Sequence, residues 1–235
     1  MTPEHLDSHC FKFKTVTWNS SRRDMRAIFA QRYQVYCLER GFLQASSYPD
    51  GLEIDEYDVH SIFITASNQT SDVVGSLRLV QMHEGMCFPF RKHCTDLFDS
   101  ESLPPIRDCV EISRVVISKV LRRRNDDTPL GVSSMLLQAP ADEPVGLRSH
   151  GHEKRRKLYP LILLGMMQQA IICCKEIGVS HCYVSIDAAL AQLLQRLNFD
   201  VEAIGASADY FGPVTPYILA IDKLRSDHIT TTRTC

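Results

Sequence analysis

The sequence predicts an α/β protein built on a mixed, twisted β-sheet with helices on both faces. Three predicted strands follow one another in the middle of the chain, which favours antiparallel pairing. Later strands alternate with helices, which favours a parallel pair. The chain has 235 residues, 44% of them hydrophobic. A chain of this length buries a core large enough to fold without disulfides or a metal. The composition excludes a disordered or fibrous protein. We expect one domain over residues 1–235.

The first strand is predicted at Phe11 to Val16, where apolar residues alternate with lysines. A helix follows, because Ser20 or Ser21 can cap it and apolar residues then recur at helical spacing as far as Gly41. Turn residues and acidic residues predict a loop over residues 41–58.

Three further strands are predicted at Ser61 to Ala66, Val73 to Val80 and Val110 to Ser118. A short polar connection between the first two predicts a hairpin. Residues 83–107 contain three prolines and are predicted to be irregular. Residues 119–157 are rich in charge and proline, and we expect a flexible or lid-like insertion there.

The last part of the chain predicts a helix–strand alternation. A strong helix is predicted to begin at Pro160, because proline suits a first turn, and to end before Gly178. The remaining elements are expected at His181 to Ile186 (strand), Ala188 to Leu197 (helix), Val201 to Ile204 (strand) and Tyr217 to Ile221 (strand).

Composition excludes several classes of protein. The formal net charge of −2 gives no sign of a nucleic-acid partner. The nine cysteines are scattered, without a C-x-x-C pair, so neither a zinc site nor a disulfide framework is indicated. Reduced thiols and the missing apolar leader favour a cytoplasmic location. The longest apolar run, residues 161–167, is too short for an integral membrane segment.

Several charged residues occupy predicted apolar positions. Arg32 lies on the apolar side of the first helix, and Arg78 stands between two leucines of a strand. Glu111 and Arg114 lie three apart on the next strand and would point to opposite faces if it were regular. A bulge between them would bring both side chains to one face, and bulges occur next to active sites.

Taken in order, these residues resemble the signature of the acyl-homoserine-lactone synthases, which are specialised GNAT acyltransferases. The set that carries the resemblance is Arg32, Tyr36, Phe42, Asp55, Asp58, Arg78, Glu111, Ser113 and Arg114. Tyr36 and Phe42 stand where that family usually carries Phe and Trp. The resemblance implies a GNAT-like fold, an acyl-carrier-protein donor and an acceptor site formed by the residues from Arg32 to Arg78.

Two other segments are similar to the long-chain N-acyl amino acid synthases and to the acyltransferases of PEP-CTERM/exosortase systems. They are Cys37 to Phe42 and Tyr210 to Tyr217. This similarity implies amide formation on an amino acid. Two alternatives stay open: a homoserine-lactone signal synthase that uses S-adenosylmethionine, and a non-catalytic acyl-binding or interaction module.

The donor is predicted from a departure from the GNAT pattern. The nearest match to the pyrophosphate loop, Arg148 to Glu153, lacks its last small residue, and its glutamate would repel a phosphate. This favours the phosphopantetheine thioester of acyl-carrier protein over acyl-CoA without excluding CoA. No permanent cofactor and no metal are expected. The sequence has two basic runs, which are either solvated faces or a docking surface for the acidic carrier. The first is Arg122, Arg123 and Arg124, and the second is Lys154 to Lys157 with Arg155 and Arg156.

Attack of an amine on a thioester needs a base and a stabilised oxyanion. Glu111 is the candidate base. Backbone N–H groups from Ser113 through Val115 to Val116 are the candidates for binding the oxyanion and the donor. Ser113 would orient the donor or bond locally. The alternative for Glu111 is an ion pair with a buried arginine, because Arg32, Arg78 and Arg114 balance Asp55, Asp58 and Glu111 in charge.

Overall fold

The computed structural model describes residues 11–83, 85–119 and 150–222, with only the backbone described at 150–158. Eight strands and three α-helices form within these ranges. Their bounds are β1 Lys12–Thr17, α1 Arg22–Tyr33, β2 Ser61–Ser67, β3 Val73–Gln81, β4 Cys109–Ile117, α2 His150–Glu176, β5 His181–Ile186, α3 Ala188–Arg196, β6 Val201–Ala203, β7 Ala208–Asp209 and β8 Pro213–Ala220.

The strands form one mixed sheet in the order β1-β2-β3-β4-β5-β8-β6, and β7 pairs with β8. The β2–β3 hairpin and the β3–β4 pair are antiparallel, as predicted. The β4–β5 pair is parallel. It is short, because Cys109 to Ile112 pair with His181 to Val184 and the register ends there.

Helices cover both faces of the sheet, which confirms the predicted fold class. The face that carries Ile64, Leu77 and Ile112 packs against α2 and α3. The opposite face carries Phe63, which packs against Ile28 of α1. Apolar alternation along the strands therefore gives the sheet two buried faces.

The first helix begins where the cap was expected. The Ser21 hydroxyl accepts the Asp24 N–H at 3.2 Å, which satisfies one of the free N–H groups at the helix N-terminus. The helix continues as a π-helical turn over Gln34–Glu39 and ends before Gly41, which has φ +63°. The wider turn changes the direction of the side chains that follow α1, among them Tyr36.

Helix α2 packs very closely on the edge strand β1. A Cβ atom added at Gly165 would lie 2.1 Å from the Phe13 ring. The absence of a side chain at Gly165 therefore lets the aromatic ring lie against the helix backbone. This contact anchors the outer strand of the sheet to the long helix.

Two predicted element starts were wrong, each because of proline, and one strand was not predicted. Helix α2 begins at His150, so Pro160 lies inside it rather than in its first turn. Strand β8 begins at Pro213, four residues before the predicted start. The prediction was too short because the two prolines of this segment are typical of a loop. The two-residue strand β7 was not predicted, since it is too short to show alternation.

The predicted insertion at 119–157 lies mostly outside the described residues, and Arg122, Arg123 and Arg124 lie there with it. Its last residues, from 150 onward, belong to α2, so the insertion ends earlier than expected. Of the helices that the structure describes, none has the length and apolar character needed to cross a membrane. All seven cysteines in the described ranges are free, and six of them are buried.

Candidate active site

The sheet opens between β4 and β5, and a bulge in β4 lies at the opening. Ser113 pairs with Arg78 and Val116 with Ser76, so Arg114 and Val115 together face a single residue of β3. Arg114 has φ +51°, which an L-residue rarely adopts. The extra residue turns Arg114 to the same side as Glu111, as the sequence predicted.

A cavity of about 440 Å³ occupies the opening. Its volume lies within the range of about 300–1,000 Å³ that is usual for small-molecule sites. The walls come from the bulged half of β4, the end of β5 with the start of α3, the β7–β8 turn and the segment after α1. The lining residues are Tyr36, Phe42, Glu111 to Val115, Val184 to Ala189, Ser207 and Tyr210 to Thr215.

Glu111 is buried in the cavity wall. Its Oε2 accepts the main-chain N–H of Phe90 at 3.0 Å. Burial raises the pKa of its carboxyl to about 8, and the Phe90 N–H, Arg78 and Arg114 offset this effect in part. Within the described residues no arginine forms an ion pair with Glu111, so its reading as an arginine partner was wrong. A carboxyl with this pKa can both hold and accept a proton near neutral pH.

The buried arginines instead form a closed ring with three other acids. Cations and anions alternate around it, so the three positive and three negative charges cancel. In order, the ring runs Arg32, Glu53, Arg114, Asp55, Arg78, Asp58 and back to Arg32.

The inner half of the ring is shielded from solvent. Arg32 bonds to Glu53 and, through Nη1, to Asp58 Oδ1 at 2.6 Å. Arg78 Nη1 bonds to the same Asp58 oxygen at 2.8 Å. These four side chains are at most 1% exposed. Burial disfavours the charged form of Arg32, but Glu53 and Asp58 outweigh it and raise the pKa of Arg32.

The outer half of the ring approaches the cavity through Arg114. Its Nη2 lies 3.1 Å from Glu53 Oε1 and 3.1 Å from Asp55 Oδ2. Asp55 also bonds to Arg78 at 2.5 Å. Burial raises the pKa of Asp55, but Arg78 and Arg114 outweigh it and lower the pKa overall. The ring therefore fixes Arg114, the member that lines the cavity.

The ring takes up four residues of the predicted acceptor site, whose role in binding an acceptor stays a prediction. Arg32, Asp55, Asp58 and Arg78 do not line the cavity, and they satisfy one another's charges. Glu53 takes the place in the ring that the sequence assigned to Glu111. The signal for it was weak, because Glu53 is one of several acids in the loop at 41–58 and precedes Asp55 by two residues.

Four aromatic side chains line the wall next to Arg114. Tyr36 lies 6.3 Å from Phe42, which stacks on Phe211 at 5.3 Å, and Phe211 contacts Tyr210 at 5.0 Å. The Arg114 guanidinium lies over Tyr36, 5.4 Å from the ring centre. The predicted residues Tyr36 and Phe42 therefore lie at the cavity, and the turn that carries Tyr210 joins them there.

Of the other predicted donor and catalytic residues, some line the cavity and others do not. Ser113 lines the cavity and accepts a hydrogen bond from Arg78 Nε at 3.1 Å. Val115 also lines it, but Val116 does not, and packs against Val35 and Tyr36. The side chains of Arg155 and Arg156 lie outside the described part of the structure. No group of three His, Cys, Asp or Glu that could hold a metal occurs among the described residues.

The β5 side of the cavity was not predicted. Asp187 ends this side, and its Oδ1 accepts the Leu190 N–H at 2.7 Å as the cap of α3. Ser185 lies beside it and faces Cys94 at 3.7 Å. The available signal was a buried strand followed directly by a helix, because ligands bind outside the carboxyl ends of parallel strands.

Comparisons with known proteins agree with the fold described above. Residues 31–130 match the family model of an acetyltransferase (GNAT) domain. The structure of BjaI, a CoA-dependent acyl-homoserine lactone synthase with SAM and isopentyl-CoA, has 17% identity and a TM-score of 0.62 over 93% of this chain and 86% of that one. The AHL synthase LasI has 13% identity and a TM-score of 0.60 over 90% of each chain. TofI in complex with an inhibitor and MTA has 14% identity and a TM-score of 0.58 over 89% of this chain and 91% of that one.

Proposed function

We propose that this chain, which has the GNAT acyltransferase fold, transfers a long-chain fatty acyl group from a thioester to the amine of an amino acid or a related small acceptor. The observation that carries the proposal is the cavity between β4 and β5. It brings a proton-accepting carboxyl and the bulged strand to one mainly apolar space. An apolar wall suits an acyl chain, and the carboxyl suits an attacking amine.

In the proposed reaction the amine nitrogen attacks the thioester carbonyl and forms the C–N bond. Ionised Glu111 takes the proton that the nitrogen must lose. The negative charge on the carbonyl oxygen is met by backbone N–H groups of the cavity-lining part of the bulge, from Ser113 to Val115. Collapse of this intermediate breaks the C–S bond and releases the thiol and an N-acyl amide.

The donor is proposed to be acyl-carrier protein, with acyl-CoA as the alternative. The basic runs at 122–124 and 154–157 are proposed as the docking surface for the acidic carrier. Salt screens such contacts. We therefore expect the Michaelis constant for the carrier thioester to rise with salt, while that for a small thioester stays nearly constant. A carrier constant that does not change with salt would argue against this docking surface.

The experiment that tests the function supplies the purified chain with hexadecanoyl-carrier protein or hexadecanoyl-CoA. The acceptors are the standard amino acids and S-adenosylmethionine, and products are identified by mass spectrometry. N-acyl amino acids support the proposal. Glu111→Ala and Arg114→Ala should abolish the product, and Glu101→Gln, at an exposed position, should leave it unchanged.

A homoserine-lactone synthase is the second candidate. Two observations favour it: the ordered residues from Arg32 to Arg114, and the fold shared with BjaI, whose structure holds SAM and isopentyl-CoA. Acyl lactones formed only with S-adenosylmethionine would replace the first proposal by this one. If no product forms with any donor, the third possibility, an acyl-binding or interaction module, is favoured.

A further inference from the structure

The outer surface of α1 and the neighbouring strand β1 is strongly basic. Lys12, Lys14 and Val16 alternate along β1 and so point to one face of the sheet, where Val16 belongs to the apolar cluster beneath α1. The two lysines are exposed, and three exposed arginines lie within the first five residues of α1. We call this surface the α1 patch; it consists of Lys12, Lys14, Trp18, Arg22, Arg23 and Arg26.

Acidic residues offset the charge of the α1 patch only in part. The sequence of α1 contains one acid, Asp24, which accepts a hydrogen bond from Lys14 Nζ at 2.7 Å. In the β2–β3 turn, a hydrogen bond from Thr70 and, to a smaller extent, the charge of Arg23 lower the pKa of Asp72. The five cations of the patch therefore outnumber these two acids, although the whole chain has a formal net charge of −2.

The position of the arginines on α1 adds to this excess of positive charge. Aligned backbone dipoles place partial positive charge at the N-terminus of a helix, which favours acidic side chains in the first turn. In α1 the first two residues are instead Arg22 and Arg23. Their guanidinium groups and the helix terminus repel one another, so an anionic surface bound here relieves the repulsion.

Trp18 adds an exposed aromatic ring to the α1 patch. It directly follows the end of β1 and is 39% exposed. Its ring lies 6.1 Å from that of Phe29. Phe29 shares one stripe of α1 with Arg22 and Arg26, which precede it by seven and three positions. Indole rings favour the boundary between the headgroups and the hydrocarbon of a bilayer, and basic side chains beside them attract anionic headgroups.

We propose that the α1 patch binds the surface of a bilayer that contains anionic lipid, with Trp18 at the level of the headgroups. The contact is peripheral and reversible, because one ring enters the interface and the remaining attraction is electrostatic. An acidic protein would complement the charge equally well, but it gives no reason for the exposed indole. The inference does not depend on the acyl transfer proposed above.

The test uses the fluorescence of Trp18, which is the single tryptophan of the chain and therefore reports on the α1 patch without a label. Wild type is titrated with vesicles of phosphatidylcholine and phosphatidylglycerol, and separately with vesicles of phosphatidylcholine alone. We expect the anionic vesicles alone to shift the emission to shorter wavelength and to protect the indole from acrylamide. Salt should reverse both effects, because it screens the attraction.

Two variants that each remove one positive charge separate the α1 patch from the net charge of the protein. Arg26→Gln should raise the lipid concentration at half-maximal shift about fivefold. Lys175→Gln should leave it unchanged, because Lys175 is exposed on α2, on the opposite face of the sheet. Neutralising Arg22, Arg23 and Arg26 together should raise it roughly 100-fold.

Four results would overturn the proposal. Equal shifts with both kinds of vesicle would show that anionic lipid is not recognised, and no shift with either would show that the bilayer is not bound. Equal losses in Arg26→Gln and Lys175→Gln would show attraction to net charge alone. A shift caused by acyl-carrier protein but by no vesicle would show that the patch docks an acidic protein instead.

Discussion

The carboxylate of Glu111 accepts the main-chain N–H of Phe90 at 3.0 Å, in a wall where no described arginine pairs with it. One hydrogen bond offsets only part of the cost of burying a charge. Glu111 therefore differs from Glu53 and Asp55, because the two arginines beside each of these ring acids outweigh burial and lower the carboxyl pKa. The next two predictions follow from this difference.

The first prediction concerns the pH dependence of acyl transfer. Glu111 acts as a base only when ionised, and its pKa is about 8. Glu111→Gln should lower kcat/KM by roughly 100-fold above pH 8. The amine acceptor also titrates, but it does so for both proteins. The ratio of wild-type to variant kcat/KM should therefore rise with pH below about 8 and level off above it. A ratio that is constant from about pH 6 to 9 would exclude Glu111 as the base.

The second prediction concerns stability. The pKa of Glu111 is raised from its ordinary 4.5 to about 8 in the fold, so the folded protein holds this proton more tightly than the unfolded chain. The resulting stabilisation is complete below pH 4.5 and is lost as pH rises through about 8. Glu111→Gln, which stays neutral, should gain stability relative to wild type over this window. Urea unfolding at several pH values measures it. Glu101→Gln serves as the exposed control and should show no such trend.

The third prediction concerns the ion-pair ring. Arg32→Met leaves the ring with an excess negative charge and Asp58→Asn with an excess positive charge. Each should cost about 3–5 kcal/mol of unfolding free energy. The double variant restores neutrality, so its loss should fall short of the sum by about 1–3 kcal/mol. The exposed pair Lys92 and Glu56, 2.6 Å apart, is the control and should couple by less than about 1 kcal/mol. Additive losses at Arg32 and Asp58 would contradict a coupled ring.

The fourth prediction concerns the contact of α2 with β1. Alanine favours a helix over glycine by about 1 kcal/mol. Gly165→Ala should nevertheless destabilise the protein by about 1–3 kcal/mol, because its Cβ would overlap the Phe13 ring. In a Phe13→Ala background the overlap is gone, and the same substitution should become neutral or stabilising. Thermal unfolding of wild type, the two single variants and the double variant measures these changes in stability. The same sign in both backgrounds would show that the ring contact is not the cause.

The sequence predicted elements where a local pattern decides the structure. The hairpin of β2 and β3 and the strand at His181 to Ile186 were correct, because alternation and turn residues specify them locally. The start of α2 was missed, since a long helix tolerates Pro160 that local preference places at a helix start. Strand β8 was predicted too short for a similar reason. Pro213 and Pro216 accept backbone hydrogen bonds in the sheet but have no N–H to donate, so their presence argues against a strand.

The site was predictable only to the extent that single side chains reveal it. Glu111 and Arg114 were identified, together with the bulge that turns them to one side. The partner of Arg32 and Arg114 was not, because Glu53 meets them only when α1 and the loop after it pack on the sheet. The place of Tyr210 depends likewise on how the β7–β8 turn folds over the opening. The hydrophobic periodicity within a segment does not indicate contacts between residues so far apart in sequence.

The short join between β4 and β5 also bears on how the chain folds. β1 to β4 form one antiparallel block, and β5, β8 and β6 form another, each through pairings between neighbours. The two blocks meet along four residues of each strand, and these are separated in sequence by all of α2. Pairings of such long sequence separation form slowly, since their loop-closure entropy is paid first. We therefore expect the cavity to be the last part of the molecule to assemble, so that refolding chains regain secondary structure before they regain activity.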